Sequence, residues 1–188
     1  MLTLGFDTSN YTTSVAAFDG VGGKNCSRLL DVKPGELGLR QSDALFAHIK
    51  RLPELVDALC ASVNIGNVTA IGVSTRPRAV EGSYMPCFLA GVSAATAFAL
   101  SRALPLVQLT HQQGHIAAAL YATGQPELFD QETLVFHISG GTTDLLLCDQ
   151  VRRITTLGTS TDLYAGQAVD RVGAVSYTHL TLPTKLEV

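Results

Sequence analysis

FDTSNYTTSVAAFD, residues 6–19, returns as FHISGGTTDLLLCD, residues 136–149. Phe6 matches Phe136, Ser9 matches Ser139, Thr12 and Thr13 match Thr142 and Thr143, and Asp19 matches Asp149. Each copy reads as an apolar strand, a turn of small hydroxyl residues or glycine, and a second apolar strand. Between the copies stands HQQGH, residues 111–115. Two hairpins of this kind on two related lobes can face each other across a cleft and grip a phosphate.

Outward from the first copy, strands are expected at residues 2–6 and 14–18, with a third near 27–31. Residues 32–39, VKPGELGL, read as loop from their Pro and Gly content. Leu45, Phe46, Ile49, Leu52, Val56 and Leu59 recur at helical spacing and predict a helix over about 40–62. Pro53 should kink or divide it. A strand at 70–74, a helix near 85–102, a strand at 105–109 and a helix opening at HQQGHIAAALYA complete a first lobe, residues 1–124. Around the second copy the order restarts, with strands at 133–139, 144–148 and 153–156 and a helix at 163–172. That stretch, 130–173, is the beginning of a second lobe. The expected class is α/β.

The 188 residues can hold one good core or two small domains. With 46% hydrophobic and 15% charged residues the chain is globular rather than disordered. A net charge of -3 excludes a global basic footprint for nucleic acid. Local basic patches remain open at Arg76 with Arg78 and at Arg152 with Arg153, pairs that equally suit a solvated surface. The four cysteines are irregularly spaced without CxxC, so reduced thiols in a cytoplasmic protein are expected. A strand begins at once, leaving no room for a leader. The apolar stretch 87–100 is shorter than the roughly 18 residues of a bilayer span. Its alanines and glycine suit a buried helix lying close to a sheet.

His111 and His115, at i and i+4, lie on one helix face and can both reach one ion. The same spacing also serves histidines that bond only backbone or water. A zinc protease of the HExxH type fits poorly, because Gln112 stands where the general-base Glu belongs. In His137-Ile138-Ser139-Gly140-Gly141, paired glycines would let the backbone approach a phosphate with exposed N–H groups. Ser-Gly-Gly is also an ordinary hairpin turn. Asp7 could orient water or a metal-bound phosphate oxygen, or simply bond turn amides.

LGFDTSNYTTSVAAFD, IGVST, VQLTHQQGH, ISGGTTDLL and AGQAVDRVG, in this order, resemble the TsaD family, formerly called O-sialoglycoprotein endopeptidase. The resemblance covers residues 1 to about 173 and implies an actin/Hsp70/sugar-kinase-like (ASKHA) fold. It implies transfer of a threonylcarbamoyl group from threonylcarbamoyl-adenylate to a tRNA adenosine, giving N6-threonylcarbamoyladenosine. It assigns one divalent metal, Fe2+ or Zn2+, to His111 and His115. It assigns the acyl-adenylate, or ATP, to His137, Ile138, Ser139, Gly140, Gly141 and Asp170, with Asp7 on the opposite phosphate-facing loop. TsaB-like and TsaE-like proteins are the partners it implies, and no membrane.

Several positions depart from the family pattern. Asn10-Tyr11-Thr12 replaces two acidic residues, Gln113 stands where an acid is frequent, and Thr142 replaces His. The glycine-rich turn after the fourth strand becomes Arg76-Pro77-Arg78-Ala79-Val80-Glu81-Gly82-Ser83-Tyr84. These changes point to a paralogous subgroup. The family continues beyond Gly173 into a longer second lobe that supplies a third metal ligand. Residues 174–188 here read as a non-native tail, so an inactive fragment of an enzyme is expected. A non-catalytic TsaB-like scaffold and an ASKHA-fold kinase or ATPase are the alternatives.

Overall fold

The structure, a computed structural model, describes residues 1–9, 11–32, 39–138, 142–150 and 152–179. The chain forms two compact units, Met1–His115 and Ile116–Val188.

The first unit is built on a five-stranded sheet. Its strands are β1 (Leu2–Asp7), β2 (Thr12–Phe18), β3 (Gly23–Leu29), β4 (Val68–Arg76) and β5 (Leu106–Thr110), in the order β3-β2-β1-β4-β5. β2 runs antiparallel to both β1 and β3, whereas β1, β4 and β5 are mutually parallel. Parallel pairing requires crossovers. These are the helices α1 (Gln41–Cys60) and α2 (Phe88–Ser101).

Leu4, Phe6, Val15, Ala17, Ile71 and Val73 point from the sheet into one core. Leu52, Leu55 and Leu59 of α1 and Ala90, Ala95 and Ala99 of α2 close it. The buried face of α2 is mostly alanine, as expected of a helix that lies close to the strands. Pro53 sits within α1 without dividing it. The carbonyl it cannot bond belongs to Ile49, a residue 52% exposed, so water can take that acceptor.

β3 begins four residues earlier than its sequence suggests. The turn before it is the cause: Asp19 Oδ1 accepts the Val21 and Gly22 N–H groups at 2.9 and 2.8 Å, and Gly20 has φ +101°. A turn this tight returns the chain into pairing at once, with Phe18 opposite Gly23. A buried polar pair ties α1 to the sheet, with Thr13 Oγ1 2.8 Å from His48 Nδ1 and both residues fully buried.

α3 (His111–Ala122) follows β5 directly. The second unit carries the antiparallel sheet β6 (Thr133–Ile138), β7 (Thr143–Cys148) and β8 (Ile154–Thr159), followed by α4 (Ala165–His179). β7 alternates strictly and buries Asp144, Leu146 and Cys148. Asp144 Oδ1 accepts the Thr159 hydroxyl at 2.6 Å, and Thr143 Oγ1 accepts the Ala165 N–H at 2.8 Å. α4 continues to His179, past the helix end expected at 172 and into the residues read as a tail. Among the described residues no helix is long and apolar enough to cross a membrane.

Candidate functional site

The three parallel strands all end at one edge of the first sheet. β1 ends at Asp7, β4 at Arg76 and β5 at Thr110, with His111 next in the chain. In open α/β sheets ligands bind beyond such carboxyl ends.

A capping box sets where α3 starts. Thr110 Oγ1 accepts the Gln113 N–H at 3.2 Å, while Gln113 Oε1 accepts the Thr110 N–H at 2.8 Å. The pair satisfies two donors reciprocally and makes His111 the first helical residue. His115 then follows one turn later on the same face. Gln113 therefore works as a cap, a task its amide oxygen performs as a carboxylate would. Its departure from an acidic residue leaves this geometry intact. The Thr-x-x-Gln spacing was visible in the sequence, but was not read as a cap.

Asp7 meets His111 from the end of β1. Its Oδ2 lies 2.9 Å from His111 Nδ1, and its Oδ1 accepts the Ser9 N–H at 2.8 Å. Burial pushes the Asp7 carboxyl upward. Hydrogen bonding and charge from His111, with hydrogen bonds from Ser74 and Ser9, outweigh burial and hold it down at about 2. An ionised carboxylate only accepts, so His111 Nδ1 must donate, and the neutral ring keeps its lone pair on Nε2. Asp7 thus acts on the ring of His111, a role its sequence position did not disclose.

His111 Nε2 lies 2.7 Å from His115 Nε2, with ring centroids 4.3 Å apart and ring planes at 80°. Two lone pairs cannot face each other at that distance without a proton or a cation to share. A tetrahedral ion with metal–nitrogen bonds of about 2.1 Å holds adjacent nitrogen ligands about 3.4 Å apart. The two nitrogens converge on one point and would part by about 0.7 Å to take such an ion, and the carboxylate behind Nδ1 is the usual orienting partner of a ligating imidazole. Among the described residues no group of three or more His, Cys, Asp and Glu side chains is arranged to hold a metal, so the first unit offers two donors.

The support beneath the pair is apolar and tightly packed. Phe88 is buried and meets His111 edge-on, with centroids 6.4 Å apart. Thr8, fully buried, donates from Oγ1 to the Cys87 carbonyl at 2.9 Å and accepts the Gly91 N–H at 3.1 Å. A Cβ at Gly91 would stand 3.0 Å from that oxygen, so glycine is what lets α2 approach the β1 turn.

Asp7, His111 and His115 are therefore brought together. The remaining expected site residues belong to the second unit. His137 and Ile138 are the last residues of β6, within the strand expected at 133–139: His137 stands opposite Asp144 and is half-buried, and Ile138 is exposed. Ser139, Gly140 and Gly141 lie outside the described residues. Asp170 lies in α4. Ser74 and Phe88, which support Asp7 and His111, were not singled out by the sequence. Neither carries a motif, and both matter only through the fold.

The TsaD family model, described as tRNA N6-adenosine threonylcarbamoyltransferase, matches residues 36–187. A tRNA N6-adenosine threonylcarbamoyltransferase of Bordetella pertussis is 32% identical over 176 residues, covering 91% of this chain and 49% of that protein. The protein of that name from Limosilactobacillus reuteri is 32% identical over 180 residues, covering 93% of this chain and 50% of its own. The chain spans about half the length of the curated relatives it matches. Among solved structures, YeaZ from Pseudomonas aeruginosa shares the fold, with a TM-score of 0.51 and 17% identity over 87% of this chain and 67% of that one.

Proposed function

The chain belongs to the TsaD family and has its actin/Hsp70/sugar-kinase-like α/β fold, and on that premise we propose that it serves threonylcarbamoyl transfer to tRNA adenosine. The observation that carries this reading is the Asp7–His111–His115 constellation at the carboxyl edge of the first sheet.

In the reaction the N6 amine of the tRNA adenine forms a C–N bond to the carbamoyl carbon of threonylcarbamoyl-adenylate. The bond from that carbon to the phosphate oxygen breaks, AMP departs and the amine loses a proton. No side-chain nucleophile is required. His111 and His115 would hold one divalent ion, Fe2+ or Zn2+, which when bound supplies Lewis-acid polarisation of the acyl carbonyl. Asp7 fixes the tautomer and ring angle of His111 through Nδ1. The capping box at Thr110 and Gln113 fixes the helix that carries both rings. Preorganisation of this kind lowers the cost of aligning the reacting groups.

The second unit would supply the adenylate site, with His137, Ile138, Ser139, Gly140, Gly141 and Asp170 as its candidate residues. TsaB-like and TsaE-like proteins are the expected partners and the cytoplasm the expected location. Residues 1–124 and 130–173 would form the first lobe and the beginning of the second, with 174–188 outside them.

The protein extended to the full length of its relatives, mixed with threonylcarbamoyl-adenylate, tRNA and a TsaB-like partner, should yield N6-threonylcarbamoyladenosine on nuclease digestion, and its His111→Ala variant should yield none. A wild-type chain that binds metal and adenylate yet makes no product contradicts the transferase reading and favours a scaffold.

A further inference from the structure

Asp7 and His111 are delivered by the two strands that flank β4, and the end of β4 touches both. β4 pairs in parallel with β1 on one side and with β5 on the other. Phe6 stands opposite Val73, and both point into the core. The next residues, Asp7 and Ser74, therefore share the other face of the sheet. Ser74 also stands opposite Leu109, two residues before His111. It is 8% exposed, and its side chain hydrogen-bonds the Asp7 carboxylate.

The pairing of β4 with β5 is irregular directly after Ser74. Ser74 faces Leu109 and Arg76 faces Thr110, which leaves Thr75 as the extra residue. An insertion of this kind re-aims the side chains beside it. Thr75 Oγ1 donates to the Leu109 carbonyl at 3.2 Å and pins the irregularity in place. The Pro77 carbonyl accepts the Gln112 N–H at 3.0 Å, so the same strand end also holds the first turn of α3.

Asp7 Oδ1 accepts the Ser9 N–H and Oδ2 faces His111 Nδ1. Rotation of a carboxylate about its last bond has a broad, shallow profile, so its plane is set by the donors around it. The ionised group only accepts, so Ser74 Oγ–H is the donor between them. A carboxylate that turned away would no longer hold the proton on Nδ1, and the lone pair of His111 could move to the nitrogen that points away from His115.

We propose that Ser74 is a positioning residue for the histidine pair: its hydroxyl holds the plane of the Asp7 carboxylate and, through it, the Nδ1–H form of His111 that leaves Nε2 open towards His115. The proposal deepens the transfer reading, on which it rests only in taking Nε2 to be a metal donor. The hydrogen-bonded chain from Ser74 through Asp7 to His111 is a property of the metal-free protein.

The test uses the full metal-free chain with 15N-labelled histidine at neutral pH. The ring-nitrogen shifts of His111, assigned by their loss in His111→Gln, report which nitrogen carries the proton. Ser74→Ala removes one oxygen from a strand residue and should lower the ratio of the Nδ1–H to the Nε2–H form by about threefold or more. Thr69→Val is the control: its hydroxyl donates to the Leu2 carbonyl at 3.2 Å from the opposite end of the same strand, and its loss should leave the ratio unchanged. In an Asp7→Asn background Ser74→Ala should add little, because the two residues act in one chain. Zinc affinity of the protein extended to the full length of its relatives, read by chelator competition, should fall by about threefold or more in Ser74→Ala. An unchanged ratio in Ser74→Ala, an equal shift in Thr69→Val, or an undiminished shift in the Asp7→Asn background overturns the proposal. A shifted ratio with unchanged zinc affinity supports the positioning role and counts against the metal reading of the pair, so the two fail separately.

Discussion

His111 Nδ1 lies 2.9 Å from Asp7 Oδ2, a contact between residues 104 positions apart in the chain. The parallel order β1-β4-β5 creates it, because the ends of these strands meet at one edge. The contact fixes which nitrogen of His111 is free.

If Asp7 orients a metal-binding ring, Asp7→Asn should weaken metal affinity by about 10- to 100-fold while leaving the chain folded. Competition against a chelating dye measures this. An unchanged affinity would mean the ring needs no partner behind it.

The same carboxylate carries a pH signature. Its folded value of about 2 lies below the ordinary 3.8, so its contribution is fully present above about pH 4 and is lost as pH falls towards 2. The contribution is of order 1–2 kcal/mol, reduced from the full shift by the side chain's partial exposure. Urea midpoints of the metal-free protein from pH 6 to 2 should fall more steeply in wild type than in Asp7→Asn. Parallel curves would contradict the assignment.

Removing the cap should loosen the helix that carries both imidazoles. Gln113→Ala is expected to cost about 0.5–2 kcal/mol in denaturant unfolding, whereas Gln113→Glu should cost little. Equal losses in the two variants would rule out the reciprocal cap.

Gly91 tests the close approach of α2 to the β1 turn. Alanine is the better helix former by about 1 kcal/mol. Its Cβ, however, would meet Thr8 Oγ1 at 3.0 Å, and that hydroxyl is held by two hydrogen bonds. Gly91→Ala should therefore lower stability by about 1 kcal/mol or more. A gain in melting temperature would show that Thr8 yields easily.

Much of this architecture is legible in the chain. Helical spacing marks α1 from Leu45 to Leu59, the small residues of α2 mark a helix pressed on a sheet, and HQQGHIAAALYA coincides with α3. The family profile and the fold agree with the resemblance carried by the five motifs. What could not be read is long-range. Asp7, Ser74, Phe88 and His111 come from four separate stretches, and only strand order brings them together. β3 was placed too late because GKNCSRL has no apolar alternation, and its register comes from the Asp19–Gly22 turn. Gln113 stands out in the sequence as the loss of an acidic group, and its role as a cap shows only with its partner Thr110, which lies just past the strand expected at 105–109.

The most direct measurement is metal content by mass spectrometry on the protein extended to the full length of its relatives, its His111→Ala and His115→Ala variants, and Asp7→Asn. About one Fe2+ or Zn2+ per wild-type chain is expected, with loss in both histidine variants and reduced retention in Asp7→Asn. Equal occupancy in wild type and the two histidine variants would contradict the account at its centre.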